Sequence, residues 1–410
     1  MTTNEKNEYS EFLHDIYLTD DDLSNEAKRL FRFHREILES LNYCGHSVLS
    51  NNLLSSGGKH IICSKLIRSH NNVKNILNYL ATKPLETKEK ISDVPMIVIC
   101  GLPRTGTTLL HNLMACDPSC RAPLVTDMTM QPIPPILRSN IDEHRRRAKI
   151  EADIEAKIFE TAKCDIKKFQ KKLSSSHALF SVEEDVFLLG EVGIQPIYAI
   201  LAPKETNLHT LYFNQHNKDF AYKYHQTVLQ MLHDVDPPRT HWQLKSSVHT
   251  YYIDTLLKYY PQASIIMSHR RLDEVLPSLY SFWLSAFSHY FNEDELINLK
   301  LVLDQTVPTS IDIRIDRIIE FHKRESSSKN VVDIQYEDLM KDPIGTVHRI
   351  YDHFDFLKWS DEFEEAMRKW LIDNPQGKQG RHSYSLAEFN LETQTNKQLY
   401  KEYEKMFLSK

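Results

Sequence analysis

The chain has 410 residues, of which 41% are hydrophobic and 26% charged, a composition typical of a globular protein with a substantial core. A formal net charge of −6 argues against general nucleic-acid binding, because such proteins usually carry a basic surface. No apolar run reaches the length of about 18 residues that a membrane-spanning helix needs. The polar N-terminus lacks a secretory segment, and the six cysteines include no CxxC pair. We therefore expect a cytoplasmic protein with no membrane span, no disulfide framework and no bound metal; the sequence makes no prediction of its oligomeric state.

The first part of the chain is predicted to be helical. Between about residues 22 and 82, apolar residues recur at three- and four-residue steps, as on one face of an amphipathic helix. The segment Ser55-Ser56-Gly57-Gly58 predicts a break in this region. We interpret residues 1–90 as a helical extension, without a recognised motif, that packs on the core.

An alternation of strands and helices follows. Apolar runs predict strands at residues 94–100, 243–245, 263–268 and 331–334, with helices at 107–115 and 251–260. This order predicts an α/β fold with a parallel β-sheet flanked by helices. We assign residues 91–395 to this domain and 396–410 to a C-terminal tail helix. A charged helical insertion at about 142–173 is interpreted either as a solvated helix over the core or as a lid over an acceptor pocket.

The most informative segment is the loop after the first strand, Gly101-Leu102-Pro103-Arg104-Thr105-Gly106-Thr107-Thr108. Glycines let a backbone approach an anion, and a helix N-terminus presents N–H groups and a partial positive charge. Gly101 and Gly106 have the spacing of the nucleotide-triphosphate loop, but Thr107 stands where that loop has lysine, and Arg104 is its one cation. The loop therefore predicts a site for a phosphate-bearing co-substrate other than ATP or GTP.

A second anion site is predicted after the strand at 263–268. Arg270 follows this strand, and Ser278 comes eight positions later on the next predicted helix. A guanidinium and a hydroxyl can converge on one phosphate. Together with the Arg104 loop, this pair predicts a ligand that carries phosphate at two separate places.

With these elements in this order, the chain resembles the sulfotransferases that use 3'-phosphoadenosine 5'-phosphosulfate (PAPS). The Arg104 loop resembles the 5'-phosphosulfate loop of that family in its arginine form, and Arg270 with Ser278 resembles its 3'-phosphate pair. Trp242-Gln243-Leu244-Lys245-Ser246-Ser247-Val248-His249 resembles the "LKSPxH" element of the bacterial branch. Asn374-Pro375-Gln376-Gly377-Lys378-Gln379-Gly380-Arg381-His382-Ser383-Tyr384-Ser385 resembles the late glycine- and basic-rich loop of that branch. The resemblance covers residues from about 95 to 390 and implies a P-loop-like fold.

The resemblance also implies the roles of these residues. The 5'-phosphosulfate would be held by Gly101, Pro103, Arg104, Thr105, Gly106, Thr107 and Thr108. Arg270 and Ser278 would hold the 3'-phosphate, while Arg104 and Lys245 would act on the transferring group. A loop over the 3'-phosphate and adenine would be formed by Lys378, Gly380 and Arg381. No metal is required for this chemistry.

A general base must take the proton of the acceptor hydroxyl, and the sequence offers three candidates. His249 follows Lys245 by four positions, whereas cytosolic members of the family have a histidine just after the corresponding lysine. Asp127 stands where the bacterial branch often has glutamate before a proline-rich turn. Glu183 lies in the acidic segment at 177–185. Each of them has a structural interpretation as well, as a capping or hydrogen-bonding residue.

We therefore expect a sulfotransferase that moves a sulfuryl group from PAPS to a hydroxyl or amine of a small-molecule acceptor, by an in-line displacement like that of phosphoryl transfer. Two alternatives stay open. One is a P-loop small-molecule kinase that uses ATP, against which the missing loop lysine argues; the other is a catalytically inactive nucleotide-binding protein. Several aromatic residues could line the acceptor pocket or belong to the core, namely Tyr198, Tyr212, Phe213, Trp283, Phe287, Tyr290 and Phe291.

Overall fold

A parallel β-sheet positions the loops described above. The computed structural model describes residues 16–83, 89–129, 131–176, 180–203, 206–214, 218–325, 329–375 and 385–409. Within these ranges, five strands form a parallel sheet in the order β2-β3-β1-β4-β5. The strands are β1 Met96–Gly101, β2 Cys120–Arg121, β3 His241–Lys245, β4 Ala263–His269 and β5 Val331–Gln335.

Strand β1 lies at the centre of the sheet, and all six of its residues are buried. A parallel strand that is covered on both faces is apolar throughout, which explains why this segment shows a continuous apolar run. Val98 pairs with Leu244 of β3 on one side and with Ile265 of β4 on the other. The carboxyl ends of β1, β3 and β4 therefore lie side by side, and the predicted α/β class is confirmed.

Helices cover both faces of this sheet. Before it come α1 Asn25–Leu30, α2 His34–Leu49 and α3 Ser56–Ala81. Between β1 and β3 lie α4 Thr107–Met114, α5 Val125–Met128, α6 Ile141–Thr161, α7 Ile166–Ser176, α8 Val186–Glu191, α9 Pro196–Leu201, α10 Leu208–Phe213 and α11 Asp219–Val235. After β3 come α12 Ile253–Tyr259, α13 Leu272–Phe287, α14 Leu296–Glu325, α15 Tyr336–Lys341, α16 Pro343–His353, α17 Asp361–Asp373 and α18 Gln398–Phe407. Single 3₁₀ turns occur at Ile91–Asp93, His249–Tyr252, Ser288–Tyr290, Glu293–Glu295, Ala387–Phe389 and Glu392–Asn396. In the described part of the chain, none of these helices combines the length and apolarity needed to cross a membrane.

The sheet separates two hydrophobic cores. Because successive side chains of a strand point to opposite faces, Val98 belongs to the first core and its neighbours Ile97 and Ile99 to the second. The first core includes the N-terminal helices, α11, α13 and α14, and the second lies among α4, α16 and α17. All the aromatic residues considered for the acceptor pocket are buried in the first core, namely Tyr198, Tyr212, Phe213, Trp283, Phe287, Tyr290 and Phe291.

The charged insertion is helical, but it consists of the two helices α6 and α7 instead of one helix over 142–173. Lys163 between them adopts a left-handed conformation with φ 56°. The Cys164 N–H donates to the Phe159 carbonyl at 2.9 Å, which closes the turn. Phe159 and Phe169 stack with ring centroids 5.3 Å apart, so α7 folds back against α6. The apolar stripe continues across this turn, and for that reason the sequence pattern does not reveal it.

The predicted break at 55–58 also takes a different form. Its two glycines lie in the first turn of α3, and the Ser55 hydroxyl caps this helix by accepting from the Gly58 N–H at 2.9 Å. A Cβ atom on Gly58 would lie 2.2 Å from the carbonyl oxygen of Tyr290. Glycine is therefore required here for a close backbone approach and not to separate two helices.

Candidate active site

The loop between β1 and α4 makes a tight turn at the carboxyl end of the sheet. Gly101 and Gly106 have positive φ angles of 99° and 81°, and Arg104 adopts φ 65°. A left-handed conformation costs a non-glycine residue roughly 1–2 kcal/mol, so the surrounding contacts hold Arg104 in place. A Cβ on Gly106 would lie 3.0 Å from the Leu339 side chain and 3.2 Å from the Tyr336 ring. Glycine at 106 thus lets the loop turn closely into the first turn of α4, where Thr107 begins the helix.

Lys245, at the end of β3, reaches the start of α4. Its Nζ donates to the Thr108 hydroxyl at 3.1 Å and forms an ion pair with Glu184. The Lys245 side chain is 3% exposed and that of Glu184 is 22% exposed. The ammonium group is therefore buried between the helix N-terminus and a carboxylate that is itself partly exposed. In this setting of low dielectric, a fixed charge acts more strongly than it would in water.

Arg104, Ser278 and Arg270 lie next to one another. The Nε of Arg104 donates to the Ser278 hydroxyl at 3.0 Å, and a terminal nitrogen of Arg270 donates to the Arg104 carbonyl at 2.9 Å. Arg270 also pairs with Glu274 at 2.7 Å, and its guanidinium lies 4.0 Å from the centroid of the Tyr336 ring. The two predicted anion sites are therefore contiguous, because β1 and β4 are neighbouring strands.

The histidine considered as a base, His249, lies in a fully buried network. Its Nδ1 accepts from the Tyr222 hydroxyl at 2.8 Å, and its Nε2 donates to the Asp185 carboxylate at 2.6 Å. His225 donates to the same oxygen at 2.8 Å and accepts from the Tyr260 hydroxyl at 2.7 Å. Both ring nitrogens of His249 are thus engaged away from solvent, which favours a structural role over that of the base.

Asp185 connects this network to the ion pair at the site. Its second carboxylate oxygen accepts from the backbone N–H of Lys245 at 3.0 Å, and Glu184 precedes it directly in the chain. Burial alone would raise the pKa of Asp185, but the attraction of His249 and the hydrogen bonds from His225 and His249 hold it well below its usual value. Asp185 is therefore a carboxylate that fixes the end of β3, where Lys245 lies.

The two acidic candidates are buried and hydrogen-bonded within the fold. Asp127 is paired with Arg121 at 2.8 Å and accepts from the Leu124 N–H at 2.9 Å, which caps α5. Glu183 is 3% exposed and accepts from the backbone N–H groups of Phe180 at 3.0 Å and Glu184 at 3.2 Å. Burial raises the pKa of Glu183. These contacts favour structural roles for both residues.

Sequence reasoning missed Glu184, although it singled out the segment that contains it. Two adjacent glutamates look alike in a sequence, and only the fold shows that Glu184 contacts Lys245. The loop residues Lys378, Gly380 and Arg381 lie outside the described residues, as does His177 in the acidic segment.

A parallel sheet whose central strand ends in this glycine-bounded loop has the arrangement of a P-loop-like α/β fold. The sequence matches the sulfotransferase family over residues 95–361, and the chain belongs to that family. The family predicted from the motifs is confirmed, and the alternative of an ATP-dependent kinase receives no support from this match.

Two solved structures resemble the chain over nearly its whole length. Sulfotransferase STF9 from Mycobacterium avium is 24% identical, with 96% of this chain and 97% of that chain covered and a TM-score of 0.75. Sulfotransferase STF1 from Mycobacterium tuberculosis H37Rv is 22% identical, with 94% and 98% covered and a TM-score of 0.64. At such identities the likeness shows the shared fold. No curated protein matches the chain.

Proposed function

We propose that the protein transfers a sulfuryl group from PAPS to a hydroxyl or amine of a small-molecule acceptor. The observation that carries this proposal is the convergence of Lys245, Thr108 and Glu184 beside the pair formed by Arg104 and Arg270. One end of the sheet thus offers donors for a phosphosulfate and, next to it, donors for a second phosphate. The six cysteines are unpaired thiols, which supports the cytoplasmic location that we propose for the reaction.

The residues present fit the two anionic ends of PAPS. The loop at 101–106 and the first turn of α4, with Thr107 and Thr108, would hold the 5'-phosphosulfate through backbone N–H groups and hydroxyls. Arg270 and Ser278 would hold the 3'-phosphate through a charged fork and a hydroxyl. Arg104, which contacts both of these residues, would link the two ends.

In the reaction, a bond forms between the acceptor oxygen and sulfur, and the bond from sulfur to the 5'-phosphate oxygen breaks. The electron pair of the broken bond stays on the departing adenosine bisphosphate. Lys245 and Thr108 would donate to this oxygen as its negative charge develops. Preorganised donors of this kind contribute about 3 kcal/mol each to lowering such a barrier.

Glu184 is the general base that we propose. Its side chain reaches the surface beside Lys245, where its carboxylate oxygen can accept a proton from the acceptor hydroxyl. When Glu184 takes the acceptor proton, it loses its negative charge and its attraction for Lys245 weakens. The ammonium group is then available to the leaving oxygen at the moment when charge develops there.

The test is turnover of radiolabelled PAPS with a panel of alcohols, phenols and amines. We expect Glu184→Gln to lower kcat by about 10²–10⁴-fold, the range for loss of a general base, while the KM for PAPS changes little. The matched control is Glu364→Gln, which removes a partly exposed carboxylate that also pairs with a basic side chain, Arg368, at 2.6 Å. Equal activity of Glu184→Gln and the wild type would refute the role of Glu184.

Binding separates the proposed activity from the alternatives. A thermal shift with adenosine 3',5'-bisphosphate, and none with ATP or GTP, is expected, because a ligand that binds the folded state alone raises its stability. Stabilisation by ATP alone would contradict the proposal. Stabilisation by the bisphosphate without transfer to any acceptor would point to the catalytically inactive binder.

A further inference from the structure

A second cluster of two histidines and one aspartate lies at the other side of β4. His269 ends β4, Asp333 lies in β5, and His322 lies near the end of α14. The Nε2 atom of His269 lies 2.7 Å from a carboxylate oxygen of Asp333, and the Nε2 atom of His322 lies 3.0 Å from each oxygen. Three elements of the fold thus bring three possible metal-binding atoms together, all within 4.8 Å of one another.

The second nitrogen of each ring is held by the fold. The Nδ1 of His322 lies 2.8 Å from the Ile318 carbonyl oxygen, which can only accept, so this nitrogen carries a hydrogen. The Nδ1 of His269 lies 2.9 Å from the Tyr403 hydroxyl of α18. In a neutral His322, the Nε2 lone pair therefore faces the Asp333 carboxylate. Two acceptors at 3.0 Å repel each other unless a positive ion, either a proton or a metal, lies between them.

The buried network around Asp185 has no such requirement. There, Tyr222 donates to the Nδ1 of His249, so the Nε2 of His249 carries the hydrogen and donates to the carboxylate. His225 and Tyr260 repeat this arrangement. Two clusters of the same residue types thus differ in one respect. With neutral histidines the first is satisfied by its own hydrogens, whereas the second needs one further positive ion, a proton or a metal, between His322 and Asp333.

We propose that His269, His322 and Asp333 bind one divalent transition-metal ion of the Zn²⁺ type. Two imidazoles and one carboxylate, with the other ring nitrogens held by hydrogen bonds, form a known kind of zinc site. Bonds of about 2.0–2.1 Å in a tetrahedron place neighbouring ligand atoms about 3.3 Å apart. The Asp333 oxygen, which lies 2.7 Å from His269 and 3.0 Å from His322, would therefore move away from the two nitrogens by about 0.3–0.6 Å. The Asp333 side chain is 35% exposed, which leaves a path for the ion and room for a water ligand.

The ion would fix the C-terminal helix α18 to the sheet. Phe407 of α18 stacks on the His269 ring with centroids 4.2 Å apart and packs edge-on to His322 at 4.7 Å. Tyr403 of the same helix holds the Nδ1 of His269. Because Arg270 follows His269 directly, the bound ion would also stiffen the chain at the proposed 3'-phosphate site.

The test is metal binding by the full-length protein after chelation and after alkylation of its cysteines. We expect one equivalent of Zn²⁺ by equilibrium dialysis and elemental analysis, and a Tm rise of about 3 °C at a hundredfold excess over Kd. Co²⁺ should give a visible spectrum of the intensity that tetrahedral nitrogen and oxygen ligation produces. Sulfuryl transfer by the chelated enzyme is measured separately, so the outcome for the metal does not depend on the proposed function.

Two variants locate the ion. His322→Ala and the nearly isosteric Asp333→Asn should each weaken Zn²⁺ binding by at least tenfold and abolish the Co²⁺ spectrum. The control is His348→Ala, which removes an exposed histidine that also pairs with an aspartate, Asp352, at 2.9 Å. The proposal would be overturned if the wild type failed to bind Zn²⁺ or Co²⁺, or if the variants bound these ions equally well. His322 would then carry a second proton instead. The Co²⁺ spectrum of the wild type decides the question even if a variant fails to fold.

Discussion

Replacing Asp185 with asparagine tests whether the buried network positions Lys245 and Glu184, the catalytic groups that we propose. Asp185 accepts three hydrogen bonds, from His249 at 2.6 Å, from His225 at 2.8 Å and from the Lys245 backbone N–H at 3.0 Å. Asparagine has the same shape but only one accepting oxygen. If this oxygen faces the two imidazoles, the amide NH₂ faces the Lys245 N–H, and a buried donor loses its partner.

The magnitude follows from this arrangement. A buried donor left without a partner costs about 1–3 kcal/mol, and the lost charge weakens the two remaining bonds. If the amide NH₂ faces the two imidazoles instead, both imidazoles must change tautomer, and both tyrosine hydroxyls must turn to accept hydrogen bonds from them. The negative charge is lost in this orientation as well. We therefore expect Asp185→Asn to lower the free energy of unfolding by about 2–3 kcal/mol.

The same variant should lower kcat by roughly 10–100-fold, because the donor left without a partner belongs to Lys245 and a small displacement of this proposed catalytic group would be costly. Urea denaturation and steady-state transfer from PAPS measure the two effects. The control is Asp117→Asn, at a buried aspartate in the second core that accepts from Tyr351 at 2.9 Å and lies outside the site. It should lose stability and keep kcat. Wild-type kcat and stability in Asp185→Asn would refute the reasoning.

Two further predictions follow from the charges of the fold. Arg270→Ala should raise the KM for PAPS at least tenfold, whereas Arg271→Ala, which removes the exposed neighbouring arginine, should leave this KM unchanged. Equal KM values for the two variants would contradict the proposed 3'-phosphate site. Burial raises the pKa of Glu191 to about 7, above the value of about 4.3 in an unfolded chain. This group therefore lowers the free energy of unfolding as pH rises from about 4 to about 7. In urea denaturation, the free energy of unfolding of Glu191→Gln minus that of the wild type should therefore be larger at pH 8 than at pH 5. An equal difference at the two pH values would count against this assignment.

The sheet and the loop could be predicted because they depend on local sequence. An apolar run such as that of β1 is required wherever both faces of a strand are covered, and Gly101 and Gly106 are required wherever the backbone adopts positive φ. By contrast, the two-residue strand β2 has too short a pattern to detect. The turn at Lys163 has no sequence signal either, because its left-handed conformation is imposed by the packing of α7 on α6.

The catalytic geometry was less predictable, since it depends on contacts between distant segments. The sequence could predict the anion-binding residues because each of them follows or faces a strand end, namely Arg104, Arg270 and Ser278. Glu183 and Glu184 are neighbours in the sequence, and only their contacts distinguish them. Glu183 is held by backbone N–H groups, whereas Glu184 pairs with Lys245. For His249 the contacts favour a structural role, because both of its ring nitrogens have buried partners, Tyr222 and Asp185, that the sequence does not reveal.

The contact between Gly58 and Tyr290 limits how the protein can be divided. The N–H of Ser55 donates to the Tyr290 carbonyl at 2.9 Å, and Leu54 forms a β-bridge with Phe291, so the N-terminal helices brace the segment that leaves α13, the helix carrying Ser278. A chimaera that borrows only residues 95–361 would omit this brace. Transplanting residues 95–361 into another scaffold therefore requires that α3 be included as well.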